Sequence, residues 1–140
     1  MSIFKKLVLP AALAAFMSGT GVASAVTEIQ WWHAMGGTNG ERVNKIAEDF
    51  NATQSDYKVV PTFKGNYTET MTAAIAAFRA KKQPHIVQVF EVGTATMMAA
   101  KGAVYPVEEM MNDAGEPFDK SVYLPAVISY YQTSDRKQIS

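Results

Sequence analysis

The chain has 140 residues, of which 48% are hydrophobic and 19% charged, a composition typical of a folded globular domain rather than a disordered segment. It contains no cysteine, which excludes a disulfide, a cysteine nucleophile and a thiolate metal site within these residues. Its 13 basic and 13 acidic residues cancel, and no extended basic run occurs, which argues against a nucleic-acid-binding protein.

The first 25 residues have the three-part pattern of an export signal. Two lysines lie near the start, an apolar stretch (LVLPAALAAFM) covers residues 7–17, and the sequence ASA at 23–25 matches a cleavage site. The apolar stretch is about half as long as the roughly 20 residues of a membrane span. We therefore predict a signal peptide over 1–25, cleavage after Ala25 and a mature protein in the periplasm. An uncleaved anchor is the alternative.

The remaining residues alternate predicted strands with predicted helices. Apolar patterns predict strands over 27–32, 57–64 and 85–92, and helices over 41–50, 66–82, 94–101 and 107–113. The order β-α-β-α-β-α predicts an α/β fold with a mainly parallel sheet flanked by helices. A short capped stretch at Asp119 or Ser121 and a patternless polar tail from Gln132 complete the chain.

Two local patterns add detail to this prediction. Pro61 lies inside the second strand, and because proline cannot donate a ladder hydrogen bond, this favours an edge position or a bulge. Asn66 followed by Glu69 predicts a capping box at the start of the second long helix.

Right-handed crossovers bring the carboxyl ends of parallel strands to one edge of a sheet, which is where ligands bind in such folds. The loops at 33–40, 65–67 and 91–94 are therefore expected to converge there. This edge is where we look for functional residues.

Four residues at this edge have more than one interpretation. The carboxylate of Glu91 can accept hydrogen bonds from the hydroxyls of a polyol, or is a solvated acid at a strand end. The hydroxyl of Tyr67 can donate to a phosphate or sugar oxygen beside helix N–H groups that suit an anion, or belongs to an ordinary surface tyrosine. Trp32 can stack on a carbon skeleton or pack in the core. His33 can donate to an oxyanion or be structural.

Motifs of catalysis and cofactor binding are missing from the sequence. The glycine-rich stretch 36–40 lacks the spacing of nucleotide-binding loops, and no zinc or nucleophile-elbow motif occurs. We therefore predict a binding protein without cofactor or metal. A small secreted hydrolase that uses His33 and Glu91, and a structural or interaction protein, are the alternatives.

Four stretches of the sequence resemble the extracellular solute-binding proteins of carbohydrate-type ABC importers: WH at 32–33, KGNY at 64–67, AAFR at 76–79 and QVFEVGTATMM at 88–98. The likeness extends over about residues 28–140. It implies two α/β lobes that close over glycerol-3-phosphate or a glycerophosphodiester, with a sugar as the alternative ligand. It also implies delivery of this solute to ABC permease subunits in the inner membrane.

The same resemblance implies roles for individual residues. Matching motifs assign Tyr67 and Glu91, and more weakly Trp32, to ligand binding. Because members of the family are much longer than this chain, residues 26–140 are interpreted as a truncated N-terminal part of the solute-binding domain. The second lobe, the hinge and the phosphate-binding residues would lie outside it.

Overall fold

The computed structural model describes residues 25–100 and 102–139, so the predicted signal segment up to residue 24 lies outside the described residues. The elements in chain order are β1 (Thr27–His33), α1 (Gly37–Thr53), β2 (Tyr57–Phe63), α2 (Tyr67–Arg79), β3 (Ile86–Val87), α3 (Glu91–Ala99), α4 (Val107–Asp113), a 3-10 turn (Lys120–Val122), α5 (Pro125–Ile128) and a second 3-10 turn (Ser129–Tyr131). Within these ranges, no helix combines the length and apolar character that crossing a membrane requires.

The described part of the chain forms a three-stranded parallel sheet in the order β2-β1-β3. β1 pairs with β2 along its whole length, from Thr27 opposite Tyr57 to His33 opposite Phe63. The sheet and its helices confirm the predicted α/β class with a mainly parallel sheet.

β2 lies at the edge of the sheet, as Pro61 predicted. The side-chain amide of Asn51 in α1 donates to the carbonyl oxygen of Val59 at 2.9 Å and accepts from its N–H at 2.7 Å. Both backbone groups of Val59 therefore point away from β1. Pro61, two residues further on, faces the same open side, where its missing N–H deprives no strand of a partner.

The start of α2 has the predicted capping box. Asn66 accepts a hydrogen bond from the backbone N–H of Glu69 at 2.9 Å, and the carboxylate of Glu69 accepts one from the N–H of Asn66 at 2.7 Å. Gly65 has a φ of +90°, and a Cβ there would lie 2.0 Å from the Glu69 carboxylate, so this turn requires glycine.

The glycine-rich stretch at 36–40 is mostly helix rather than loop. α1 begins at Gly37, four residues before the predicted start, with Gly36 as its N-cap. The N–H of Gly40 donates to the carbonyl oxygen of Gly36 at 3.2 Å and closes the first turn. A Cβ on Gly40 would lie 2.7 Å from the Met35 carbonyl oxygen, so the glycine permits a close approach of two backbone segments.

The third strand is much shorter than predicted. Only Ile86–Val87 pairs with β1, and α3 already begins at Glu91, within the predicted strand 85–92. The chain leaves the sheet after Gln88, whose backbone N–H still donates to Trp32 at 2.8 Å. The apolar run that predicts a strand therefore contains only a two-residue strand, and two of its apolar residues, Ile86 and Val92, are exposed. Thr94, the predicted cap, lies inside the first turn and donates to Phe90.

The C-terminal tail is ordered against α4, contrary to the patternless prediction. Gln132 and Gln138 form an antiparallel bridge, and Gln138 is 2% exposed. The backbone N–H of Gln138 donates to the carboxylate of Glu108 at 2.9 Å. Asp119 caps the first 3-10 turn, as one of the two predicted candidates, by accepting from Ser121 at 2.8 Å.

The buried core of the described residues is small. Its buried apolar residues are Val43, Ala47 and Ala74. An apolar cavity of about 760 Å³ lies between α2, β3, α3 and α4, and the large side chains Phe78 and Met110 on its lining are exposed. Much of the apolar surface of these elements is therefore not covered by the described residues.

Candidate ligand site

Hydrogen bonds bring the segments that follow the three strands together at the carboxyl edge of the sheet. The carbonyl oxygen of His33 accepts from the N–H of Lys64 at 2.9 Å. The side chain of Gln88 accepts from the N–H of Ala34 at 3.0 Å. The buried hydroxyl of Thr70 in α2 lies 3.5 Å from the same His33 oxygen. The segments that follow the three strands therefore meet, although residues 91–94 form the first turn of α3 rather than the expected loop.

Tyr67, the first residue of α2, lies over the segment that leads into α3. Its ring is stacked on Phe90, with centroids 5.4 Å apart and an angle of 26° between the planes. The residue is 39% exposed. One side of the phenol is thus packed, and part of the residue remains available to a ligand.

Glu91 is the first residue of α3 and is exposed. It does not end a strand, as the sequence suggested, but starts a helix, where its charge interacts favourably with the helix dipole by about 0.3–1 kcal/mol. Its backbone oxygen lies 3.4 Å from the hydroxyl of Tyr130, which is 55% exposed. The C-terminal segment therefore reaches the same edge.

Trp32 is half-buried, and the ammonium of Lys64 lies over its ring, 4.0 Å from the centroid. Such cation–π contacts contribute about 0.5–1 kcal/mol at exposed sites and more when desolvated. Among the described residues Lys64 has no carboxylate within ion-pairing distance, in contrast to Lys58, which pairs with Glu28. The edge thus carries a half-buried cation held on an aromatic face.

His33 is a packed side chain rather than a surface donor. It is 3% exposed, and its ring lies 6.0 Å from Trp31 and 6.1 Å from Phe63 between centroids. Burial lowers the pKa of its imidazole, and Nδ1 accepts from the N–H of Met35 at 3.3 Å. Of the two interpretations of His33, the structural one therefore fits its position, and a role as a donor to an oxyanion does not.

The start of α2 is less suited to an anion than the sequence indicated. The capping box places the Glu69 carboxylate on the Asn66 N–H, so a negative charge already lies at this helix end. The positive group at the edge is the Lys64 ammonium instead. A bound oxyanion would be favoured near Lys64 and disfavoured near Glu69 and Glu91.

The described residues outside this edge were also compared with the side-chain clusters that bind metals. No set of three or more histidine, aspartate and glutamate side chains gathers there to bind a metal. A charged cavity of about 610 Å³ between α4 and the tail is lined by groups of both signs, including Glu109, Asp113 and Lys137. None of the candidate ligand-binding residues Tyr67, Glu91 and Trp32 lines it.

Sequence reasoning missed four residues of the edge. The sequence predicts strands for Phe90, Lys64 and Gln88. It places Tyr130 in the short capped stretch before the polar tail, with no functional role. The first three lie in the KGNY and QVFEVGTATMM stretches, which singled out these regions without indicating the contacts. Tyr130 had no comparable signal.

Residues 36–135 match the family of bacterial extracellular solute-binding proteins. The chain is 52% identical over 118 residues to the sn-glycerol-3-phosphate-binding periplasmic protein UgpB of Rhizobium meliloti, covering 84% of this chain and 27% of that protein. It is 46% identical over 140 residues to UgpB of Brucella suis, covering 99% of this chain and 32% of that protein. It is 54% identical over 112 residues to UgpB of Yersinia pestis, covering 80% of this chain and 25% of that protein.

Two solved structures share the fold. The cyclic alpha-maltosyl-1,6-maltose binding protein from Arthrobacter globiformis superposes with a TM-score of 0.63 at 20% identity, covering 81% of this chain and 27% of that chain. The mannotriose-bound protein CpMnBP1 superposes with a TM-score of 0.65 at 16% identity, covering 79% of this chain and 27% of that chain. The chain spans about a third or less of the length of the curated relatives it matches.

Proposed function

The chain belongs to the bacterial extracellular solute-binding proteins, and on that premise we propose that it is the N-terminal part of a periplasmic receptor for sn-glycerol-3-phosphate or glycerophosphodiesters. The observation that carries this proposal is the identity of 46–54% to periplasmic proteins named for binding sn-glycerol-3-phosphate. The resemblance of the KGNY and QVFEVGTATMM stretches, stated above, agrees with it.

The proposal includes export and delivery. Residues 1–25 act as a signal peptide that is cleaved after Ala25, and the mature protein works in the periplasm. It presents its solute to permease subunits of an ABC importer in the inner membrane and catalyses no reaction. Residues 26–140 contribute to one lobe, and the rest of a protein of the relatives' length supplies the other.

The edge of the sheet provides groups that fit the two ends of glycerol-3-phosphate. The exposed carboxylate of Glu91 accepts hydrogen bonds from the glycerol hydroxyls, since an ionised carboxylate is an acceptor only. The Tyr67 hydroxyl donates to a phosphate oxygen. Because Glu91 repels the phosphate, we place that group on the side of Lys64, with Trp32 beneath the ammonium.

A sugar receptor is the second candidate. The two solved structures that share the fold are a cyclic alpha-maltosyl-1,6-maltose binding protein and a protein with mannotriose bound. At 16–20% identity these structures support the fold alone, whereas the more similar curated relatives are named for glycerol-3-phosphate.

Ligand competition separates the two candidates. The experiment uses the full-length mature protein purified from cells. Equilibrium dialysis with labelled glycerol-3-phosphate measures how much of the label this protein binds. We expect unlabelled glycerol-3-phosphate to displace the label and equal concentrations of maltose or mannotriose to leave it bound. Displacement by the sugars, or the absence of retained label, would contradict the proposal. Release of inorganic phosphate during the assay would indicate a hydrolase.

A further inference from the structure

Phe90 lies between the two residues proposed to bind ligand. It is the N-cap of α3, immediately before Glu91, and its ring is stacked on Tyr67 of α2. Its carbonyl oxygen accepts hydrogen bonds from the N–H of Gly93 at 2.9 Å and from the hydroxyl of Thr94 at 3.3 Å. The backbone at Phe90 is therefore held by the first turn of the helix that begins with Glu91.

Gly93 provides the space in which the Phe90 ring lies. It is buried, and a Cβ at this position would lie 2.8 Å from Cε1 of Phe90 and 2.9 Å from Sδ of Met71. Both distances are shorter than the closest contacts that a Cβ atom normally makes, so any larger residue at position 93 would displace Phe90 or Met71. The φ of Gly93 is not in the left-handed region, so the glycine matters here for its lack of a side chain rather than for its backbone conformation.

We propose that Phe90, seated on Gly93, is a positioning residue that fixes the ring of Tyr67 in its ligand-binding orientation. The inference rests on the proposed function, because it takes Tyr67 as a ligand-binding residue. Tyr67 is the first residue of its helix and is partly exposed, so its ring would otherwise sample several rotamers. Stacking on Phe90 removes that freedom before the ligand arrives, and so reduces the entropy lost on binding.

This arrangement couples the two sides of the site through one helical turn. The turn that places the Glu91 carboxylate also places Phe90, and Phe90 places Tyr67. A solute that contacts both Glu91 and Tyr67 therefore meets two groups with a fixed separation. A solute too short to span this separation would lose one of the two contacts.

The test compares Phe90→Leu with Phe90→Tyr in the mature protein at its native length. Calorimetric titration with glycerol-3-phosphate gives the Kd of each variant. Aromatic pairing contributes energies that correspond to about a threefold to tenfold change in Kd. We expect Phe90→Leu to raise Kd by about that factor, and Phe90→Tyr, which keeps the stack, to stay within about twofold of the parent. Phe78→Leu, about three turns from Tyr67 at the other end of α2, is the matched control and should leave Kd unchanged.

A second measurement distinguishes positioning from a purely structural role. In protein with isotopically labelled tyrosine, the Tyr67 ring resonances of the ligand-free state should lose their ring-current shift in Phe90→Leu and keep it in Phe78→Leu. A double-mutant cycle of Tyr67→Leu with Phe90→Leu should be non-additive, because Phe90 acts through Tyr67.

The outcomes separate this inference from the function it rests on. If the parent protein binds glycerol-3-phosphate and Phe90→Leu binds it equally well, or if the two substitutions are additive, the positioning role is wrong and the receptor remains. If the parent does not bind glycerol-3-phosphate, the proposed function fails and the inference falls with it. A raised Kd rescued by Phe90→Tyr, with the lost ring-current shift, supports it.

Discussion

The side-chain oxygen of Gln88 accepts a hydrogen bond from the backbone N–H of Ala34 at 3.0 Å, while the backbone N–H of Gln88 donates to Trp32 at 2.8 Å. One residue thus joins the loop after β1 to the segment that leads into α3. Because Glu91 begins that helix, the Gln88 contacts fix the position of the candidate carboxylate relative to the sheet.

Replacing Gln88 by leucine should therefore destabilise the mature protein. The substitution leaves the half-buried Ala34 N–H without its acceptor, and an unsatisfied group of this kind costs about 1–3 kcal/mol. Urea unfolding followed by circular dichroism measures the loss. Gln83→Leu, at an exposed position before Pro84, is the matched control and should change stability little. Equal unfolding midpoints for the two variants would show that the Ala34 contact contributes nothing.

Asn66→Ala should destabilise the protein through α2. The substitution removes the acceptor of the Glu69 N–H and breaks the capping box, which costs about 0.5–2 kcal/mol. The free energy of unfolding in urea is again the measurement. Asn66→Asp keeps an acceptor oxygen at the cap and should retain most of the stability. The capping account is wrong if the aspartate variant is as unstable as the alanine variant.

The stability of the protein should fall as the pH is lowered through the range in which His33 titrates. Burial lowers the pKa of His33 below its ordinary 6.5, so the unfolded state binds a proton more readily than the folded state. The stabilisation is thus complete above about pH 6.5 and is lost as the pH falls through the lowered pKa.

Urea unfolding at a series of pH values between 8 and 5 measures this effect. His33→Gln should show a smaller decline in stability over that range than the parent, whereas His85→Gln, which removes the other histidine, should keep the decline because His33 is still present. Parallel curves for the parent and His33→Gln would contradict the assignment.

Residues 26–140 alone should bind glycerol-3-phosphate much more weakly than the protein at its native length. The chain spans about a third or less of its curated relatives, and solute receptors of two lobes bury the ligand between them on closure. Calorimetry on the isolated segment tests this expectation. Micromolar affinity in residues 26–140 would mean that the edge described above is sufficient without a second lobe.

The overall class was predictable because it depends on long patterns. Alternating apolar segments with helical and extended periods gave the α/β order, Pro61 indicated an edge strand, and Asn66 with Glu69 indicated the capping box. Each of these features is encoded in patterns along the sequence, so its prediction requires no knowledge of tertiary contacts.

The errors arose where tertiary contacts decide the structure. The apolar run at 85–92 predicts a strand, but only Ile86–Val87 pairs with β1, and Val92, which belongs to α3, is 73% exposed. The contacts of Phe90 with Tyr67 and of Tyr130 with Glu91 join residues 23 and 39 positions apart. Periodicity carries no information about such pairs.

Calorimetric titration of the Glu91→Ala variant with glycerol-3-phosphate, in the mature protein at its native length, tests the central claim most directly. Glu91 is exposed at the start of α3, so we expect the variant to keep the fold and to have a free energy of unfolding within about 1 kcal/mol of the parent's. Its affinity should fall at least tenfold, since a lost hydrogen bond to a charged group costs about 1.5–3 kcal/mol. An unchanged affinity in a folded variant would remove Glu91, and with it this edge of the sheet, from the binding site.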